Sequence, residues 1–444
     1  MEVAIVQRRT LRLLFVTQII SGIGIAIGAS VGALLAAEIA GIGVSGLALS
    51  ANVVGAALFA LPATAIVHRR GRRPSLAAGY LVAGVGSILV VTAAVRTSIP
   101  LLIAGFFLFG GATAAGLQAR YAAVDLAPAS LRGRHLSLIV WATTLGAVLG
   151  PSLAAPAGAS LDGYGIPTLA GPFFFSALLF GLAALLLMLL LRPDPALTAR
   201  AGRENPSAPG AGAPHGGMRA ALRAVVSQAS PRLGVSAMAA GHLVMIGVMT
   251  MTPVHIRSAG HDAAHTLRVV GVVLSFHIAG MFAFAPGFGW LTDKLGRRPV
   301  IAAGIALLLA ACALAGTAGH HSARLAGALM MLGLGWSATT VAGSTLLSES
   351  VSGDLRASAQ GLSDLTMGLA GASAGAISGV VVEAWGYSTL TLLAALATAP
   401  LVVLVSLSPN RADDRAGPAE EAGRQSGSLM GAVGKGEDPR TEEA

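Results

Sequence analysis

The chemistry open to this chain lies in a handful of ionisable residues set inside long apolar runs. A charge in hydrocarbon is costly, so each is a functional candidate. Asp364 lies two turns into one run, with Gln360 and Ser363 beside it. A desolvated carboxylate can hold a proton near neutral pH, which makes Asp364 the first candidate for proton coupling. Pairing with Arg120 or a loop arginine is the alternative. His242 and His277 fall near the middle of two further runs, where an imidazole either carries a proton or simply packs. Arg120, flanked by Gln118 and Tyr121, can attract an anionic substrate or a carboxylate at the base of a cavity, or else snorkel to the interface. Gln18, Asn52, Trp141 and Trp336 suit a polar or aromatic cavity wall. Met245, Met249 and Met251 suit an adaptable apolar wall or plain core packing.

Other chemistry is missing. There is no G-x-x-x-x-G-K-[ST] phosphate loop to drive an ATP engine, and no H-E-x-x-H or Cys/His metal pattern. Cys312 is the single cysteine, so no disulfide can form within the chain. His255, His261, His265, His320 and His321 are irregularly spaced, and solvation in loops explains them better than a metal site. The expectation is a non-enzyme with no cofactor and no metal.

The elements that position these residues must be membrane helices. Apolar residues make up 54 % of the 444 and charged residues 11 %, whereas a soluble domain carries roughly 25 % charge. Mean hydropathy is +0.75. Such a chain needs a bilayer as its solvent. A hydrocarbon core about 30 Å thick takes roughly 20 apolar residues per helix. The chain offers runs near 13–36, 46–67, 75–95, 99–126, 135–157 and 168–191, then near 232–256, 267–292, 299–319, 323–349, 357–382 and 388–408. Pro62, Pro151 and Pro286 fall inside runs, as packed membrane helices allow. The fold class expected is an all-α membrane protein with twelve transmembrane helices.

Arg8, Arg9 and Arg12 precede the first run in the manner of a signal peptide, but the run is too long for one and reads as an uncleaved helix. With the N-terminus inside, inner loops and tails hold 24 of the 29 basic residues, and outer loops hold only Arg96, Arg257, Arg268 and Arg324. That bias puts both termini in the cytoplasm. The net charge of +9 then reflects topology, not nucleic-acid binding. Residues 193–230, rich in Pro, Gly, Ala and Arg, read as a cytoplasmic linker between bundles at 1–192 and 231–408. The tail at 409–444 is polar and Gly-rich, and is expected to be disordered.

The two sets of six spans repeat one another. His68-Arg69-Arg70-Gly71-Arg72-Arg73-Pro74 follows span 2, and Asp293-Lys294-Leu295-Gly296-Arg297-Arg298-Pro299 follows span 8, at an offset of 225. Asp125 at the end of span 4 matches Glu349 at the end of span 10, and Arg132 matches Arg356. Gly146 and Gly150 in span 5 match Gly371 and Gly375 in span 11. Two parallel six-span halves follow from matches in this order.

The stretch from Gly289 to Arg298 resembles the G-x-x-x-D-x-x-G-R-R loop signature of the major facilitator superfamily. Gly146-Ala147-Val148-Leu149-Gly150-Pro151 resembles the G-x-x-x-G-P motif of its antiporters, although glycine pairs also serve plain helix packing. The resemblance covers about residues 10–408 and implies two pseudo-symmetric six-helix bundles, with spans 1, 4, 7 and 10 lining a central cavity. Spans 3, 6, 9 and 12 would face outward, and they carry no charge between their ends. The first loop departs from the signature, with Thr64 in place of Gly and His68 in place of Asp. By the resemblance, the acid would sit near the amino end of a helix in the opposite half, where the helix dipole favours it. Asp293 would do so at the start of span 5, and His68 would not at span 11. The expected inner gate is therefore asymmetric. It comprises Arg69, Gly71, Arg72, Arg73, Gly289, Asp293, Gly296, Arg297 and Arg298, with Asp125 paired to Arg72 and Glu349 to Arg297. Those pairs are expected to form in the outward-open state and break in the inward-open one.

The function expected is secondary active transport of a small molecule by alternating access, with proton-coupled export as its mode. The partners would be substrate, protons and the bilayer, with the chain acting as a monomer. Metabolite uptake by symport or uniport is the alternative, followed by a non-transporting sensor on the same fold.

Overall fold

The computed structural model describes residues 2–128, 131–201, 218–260, 262–352 and 355–407, and every regular element among them is helical. Twelve helical stretches are long and apolar enough to cross a membrane. The first six are α1 (Glu2–Ala40), α2 (Ile42–Arg70), α3 (Arg72–Arg96), α4 (Ile99–Ala122), α5 (Arg132–Ala159) and α6 (Gly171–Leu190). Two short helices follow in the linker, α7 (Pro195–Ala201) and α8 (Met218–Ser227). Then come α9 (Ala229–Arg257), α10 (Ala263–Phe282), α11 (Ala285–Leu295), α12 (Arg297–Gly316), α13 (Ser322–Ser350), α14 (Arg356–Trp385), α15 (Tyr387–Leu396) and α16 (Ala399–Leu407). The tail expected at 409–444 lies outside the described residues.

The differences from the sequence reading have local causes. Span 8 is two helices, α10 and α11, because Pro286 sits in the first turn of α11, and a proline ring there stops the preceding helix from running on. Pro62 and Pro151 stay inside unbroken helices. Span 4 ends at Ala122, so Asp125 lies in the turn beyond it, not on the helix. α1 starts at Glu2, so Arg8, Arg9 and Arg12 ride on the helix instead of preceding it. Asp262 caps α10 by accepting from the His265 N–H at 2.7 Å, a bond that holds its carboxyl below the usual carboxylate range.

Within the first half, α1 packs on α5 and α6, and α4 on α2 and α3. Within the second, α13 packs on α9, α10 and α12. The helix pairs α2–α14 and α5–α10 join one half to the other. Their contacts are close and lie away from the α2–α3 and α11–α12 turns, whose side we call the loop side. Gly46 of α2 lies on the Gly375 carbonyl, and the Ser50 hydroxyl donates to the Ala372 carbonyl at 2.8 Å. Gly271 of α10 lies on the Pro151 carbonyl, and the Ser275 hydroxyl donates to the Val148 carbonyl at 2.9 Å. The close approaches between these helix pairs cluster on the far side.

Gly146 shows why small residues hold this arrangement. A Cβ added there would lie 2.5 Å from the Ile19 carbonyl of α1, so the two backbones touch. Gly146→Leu is expected to destabilise the protein by about 1–3 kcal/mol through overpacking, read as a lower Tm of the detergent-solubilised protein. Gly181→Ala, whose added methyl has nothing within 4 Å, is the control expected to leave Tm unchanged or slightly raised.

Candidate functional site

The two loop signatures fold alike. Gly71 and Gly296 both adopt φ of +91°, open to glycine without strain, and each turns the chain straight into the next helix. Arg72, the first residue of α3, forks onto Asp125: Nε donates to Oδ2 at 2.8 Å and Nη2 to Oδ1 at 3.1 Å. Its Nη1 donates to Gln118 Oε1 at 2.6 Å, and Gln118 Nε2 donates to Thr64 Oγ1 at 3.2 Å. In the second half Arg297 Nε donates to Glu349 Oε2 at 2.8 Å, with Nη2 on the other oxygen. Such two-pronged pairs fix orientation as well as adding energy. Asp125 is 17 % exposed and Glu349 48 %, so the first pair is the less screened.

Each pair lies inside one half, α3 with the turn after α4 and α12 with α13. Both are intact in this conformation. They fasten the loops to their own helices.

Asp293, expected at the amino end of α5, is exposed and has no hydrogen bond or ion pair among the described residues. Arg69 is exposed, Arg298 is half-buried, and Gly289 borders open space. Two residues outside the expected gate do more. Asp194 packs its carboxylate over Gly71 and accepts the Arg73 backbone N–H at 2.7 Å. It also caps α7, accepting from Ala196 N at 3.0 Å and Leu197 N at 3.3 Å. One anion thus serves two helix amino ends. Arg200 donates to the His68 carbonyl at 2.8 Å and the Val67 carbonyl at 3.2 Å, completing the carboxyl end of α2. The acid that the first loop lacks at His68 comes from the linker. Asp194-Pro195 is an N-cap followed by proline at the first helical position, a signal visible in the sequence.

The other candidates fall in three places. Gln18 is 1 % exposed inside the first half: Nε2 donates to the Gly116 carbonyl and Thr143, and Oε1 accepts from Tyr80 at 2.7 Å. It braces helices of the first half. Gln118 likewise belongs to the Arg72 network. His277 is fully buried, with Nδ1 on the Leu329 carbonyl at 2.8 Å and Nε2 without a hydrogen-bond partner among the described residues. His242 accepts on Nδ1 from the Trp336 indole at 3.1 Å, with Phe282 edge-on to Trp336. Its Nε2 edge faces Gly371 of α14. Nearer the far side, a cavity of about 120 Å³ between the halves is lined by Ser50, Asn52, Met249 and Thr250, among others. Asn52 Oδ1 is buried there without a hydrogen-bond partner.

Arg120 and Asp364 sit on opposite halves. Their charges act on each other, yet they form no ion pair within 4.0 Å. Arg120 Nε is buried without a hydrogen-bond partner, whereas Asp364 is exposed. Trp141 and Tyr121, 60 % and 56 % exposed, complete the candidate side chains on the loop side. Gly150 and Pro151 do packing work, against Ala26 and Gly271 respectively.

The difference between the two arginine pairs is measurable. Asp125→Asn is expected to cost about 2 kcal/mol, the range of a hydrogen-bonded charge left unmatched. Glu349→Gln is expected to cost less than about 1 kcal/mol, because its carboxylate is half in solvent. Thermal unfolding of the detergent-solubilised variants checks both, and raised salt should shrink only the second effect.

Known proteins match this chain throughout its length. The family profile described as Major Facilitator Superfamily matches residues 14–269 and 261–435. The uncharacterized MFS-type transporter YdeG of Bacillus subtilis is 38 % identical over 406 residues, 91 % of this chain and 93 % of that protein. The riboflavin transporter RfnT of Brucella anthropi is 26 % identical over 353 residues, 79 % of this chain and 82 % of that one. Among solved structures, the nucleoside transporter NupG superposes with a TM-score of 0.67 at 16 % identity, covering 90 % of this chain and 97 % of that chain. Profile, relative and fold agree, and the chain belongs to the major facilitator superfamily, a membrane transporter and not an enzyme.

Proposed function

We propose that the protein exports a small amphipathic molecule from the cytoplasm in exchange for protons. The observation that carries this reading is Arg120 and Asp364 standing on opposite halves towards the loop side, acting on each other by charge with no ion pair between them. A charged Asp364 attracts Arg120 and favours closure of the loop side. A protonated Asp364 does not. One proton thereby biases a two-state element, as coupling requires. The Arg bias supports a cytoplasmic loop side with both termini on it. The halves at 1–192 and 231–408 rock about their far-side contacts, and one copy of the chain suffices. The span 5 motif supports export.

Similarity to a riboflavin transporter favours a second reading, a carrier for a planar heterocyclic metabolite. Accumulation assays separate the two. Cells lacking their main efflux pumps would express the parent or Asp364→Asn at equal membrane levels, and be loaded with fluorescent cations, antibiotics or riboflavin. Export predicts lower accumulation with the parent, restored by Asp364→Asn or by collapsing the proton gradient. Riboflavin uptake with no effect on the other compounds would favour the second reading. Parent-driven export that persists unchanged in Asp364→Asn would remove Asp364 from the coupling role.

A further inference from the structure

The linker carries a helix whose surface transport does not explain. α8 reads Met218-Arg219-Ala220-Ala221-Leu222-Arg223-Ala224-Val225-Val226-Ser227. At about 100° per residue its side chains fall into separate stripes. Ala221 and Val225 form the packed stripe, clustered with Met238, Leu347, Val351 and Ala359 of the second half. Met218, Leu222 and Val226 form another apolar stripe, about 80° further round. These three are 48 %, 48 % and 59 % exposed. Arg219 and Arg223 stand about 80° beyond that, both exposed.

Position and charge name the occupant of the bare stripe. Only Gln228 separates α8 from α9, so α8 sits at the end of a membrane span, where hydrocarbon gives way to headgroups. Arg232 of α9 donates to the Val226 carbonyl at 3.3 Å and ties the end of α8 to that span. The helix carries no acid. An apolar stripe between a protein-packed face and an arginine edge matches the depth profile of a leaflet, with acyl chains below and phosphates above.

We propose that α8 is an interfacial helix that seats the second half on anionic lipid. Met218, Leu222 and Val226 enter the acyl boundary, and Arg219 and Arg223 meet lipid phosphates. Basic residues beside a membrane are drawn to anionic headgroups. Because the packed stripe clusters with residues of α13 and α14, lipid contact holds the loop-side ends of those helices at one depth.

The test uses full-length protein in lipid nanodiscs. Replacing the buried Cys312 by Ala leaves single label sites at Leu222→Cys and, on the other side of the helix, Ser227→Cys. With the NBD fluorophore, Leu222→Cys should emit blue-shifted and be quenched by shallow doxyl lipids, and Ser227→Cys should not. Quenching should rise when phosphatidylglycerol is added to phosphatidylcholine, and Arg219→Gln with Arg223→Gln should abolish that rise. Water-like emission at Leu222→Cys would overturn the proposal. So would shielding from both lipid and aqueous iodide, since that would mean a protein cover. Lipid quenching indifferent to phosphatidylglycerol and to both arginines would overturn recognition of anionic lipid.

Discussion

Hydrocarbon offers the backbone no hydrogen-bonding partner, and the rest of this structure follows from that. Every spanning segment must satisfy its own amides, so each is a helix. Helices in lipid gain little from apolarity alone and must approach closely to cohere. The glycines of α5 permit that approach to α1 within the first half, and those of α2, α10 and α14 permit it between the two halves. Ser50 and Ser275 reach across these seams to backbone carbonyls, so the joints are narrow and hydrogen-bonded at once.

The halves repeat in plan and differ in chemistry. Arg72–Asp125 is recreated as Arg297–Glu349, and Gly71 as Gly296 with the same backbone angle. Around that frame the first half adds Gln118, Asp194 and Arg200 to its loop, so three further polar side chains hold a turn whose signature acid is missing. The second half keeps the signature acid, Asp293, exposed. Its functional candidates lie deeper, in His242 with Trp336 and in Asp364.

The sequence made the twelve spans, the repeat and both arginine pairs legible, because hydropathy and spacing are one-dimensional signals. Side-chain direction is not. Gln18 reads as a cavity residue from polarity alone, yet its rotation about α1 turns it to Tyr80 and Thr143. His277 faces the Leu329 carbonyl for the same reason. Asp194 escaped notice because it is far along the chain from the loop it serves, although its proline neighbour marks a helix start.

The fastening of Asp194 and Arg200 to the first half divides the linker into unequal parts. Its beginning is bolted to the α2–α3 turn, and its end, α8, is packed on the second half. Each described end of the linker is therefore a part of the half it touches, and the broadest contacts between the halves among the described residues are those of α2 with α14 and of α5 with α10. A change confined to either linker end is felt first by the loop or helix ends beside it.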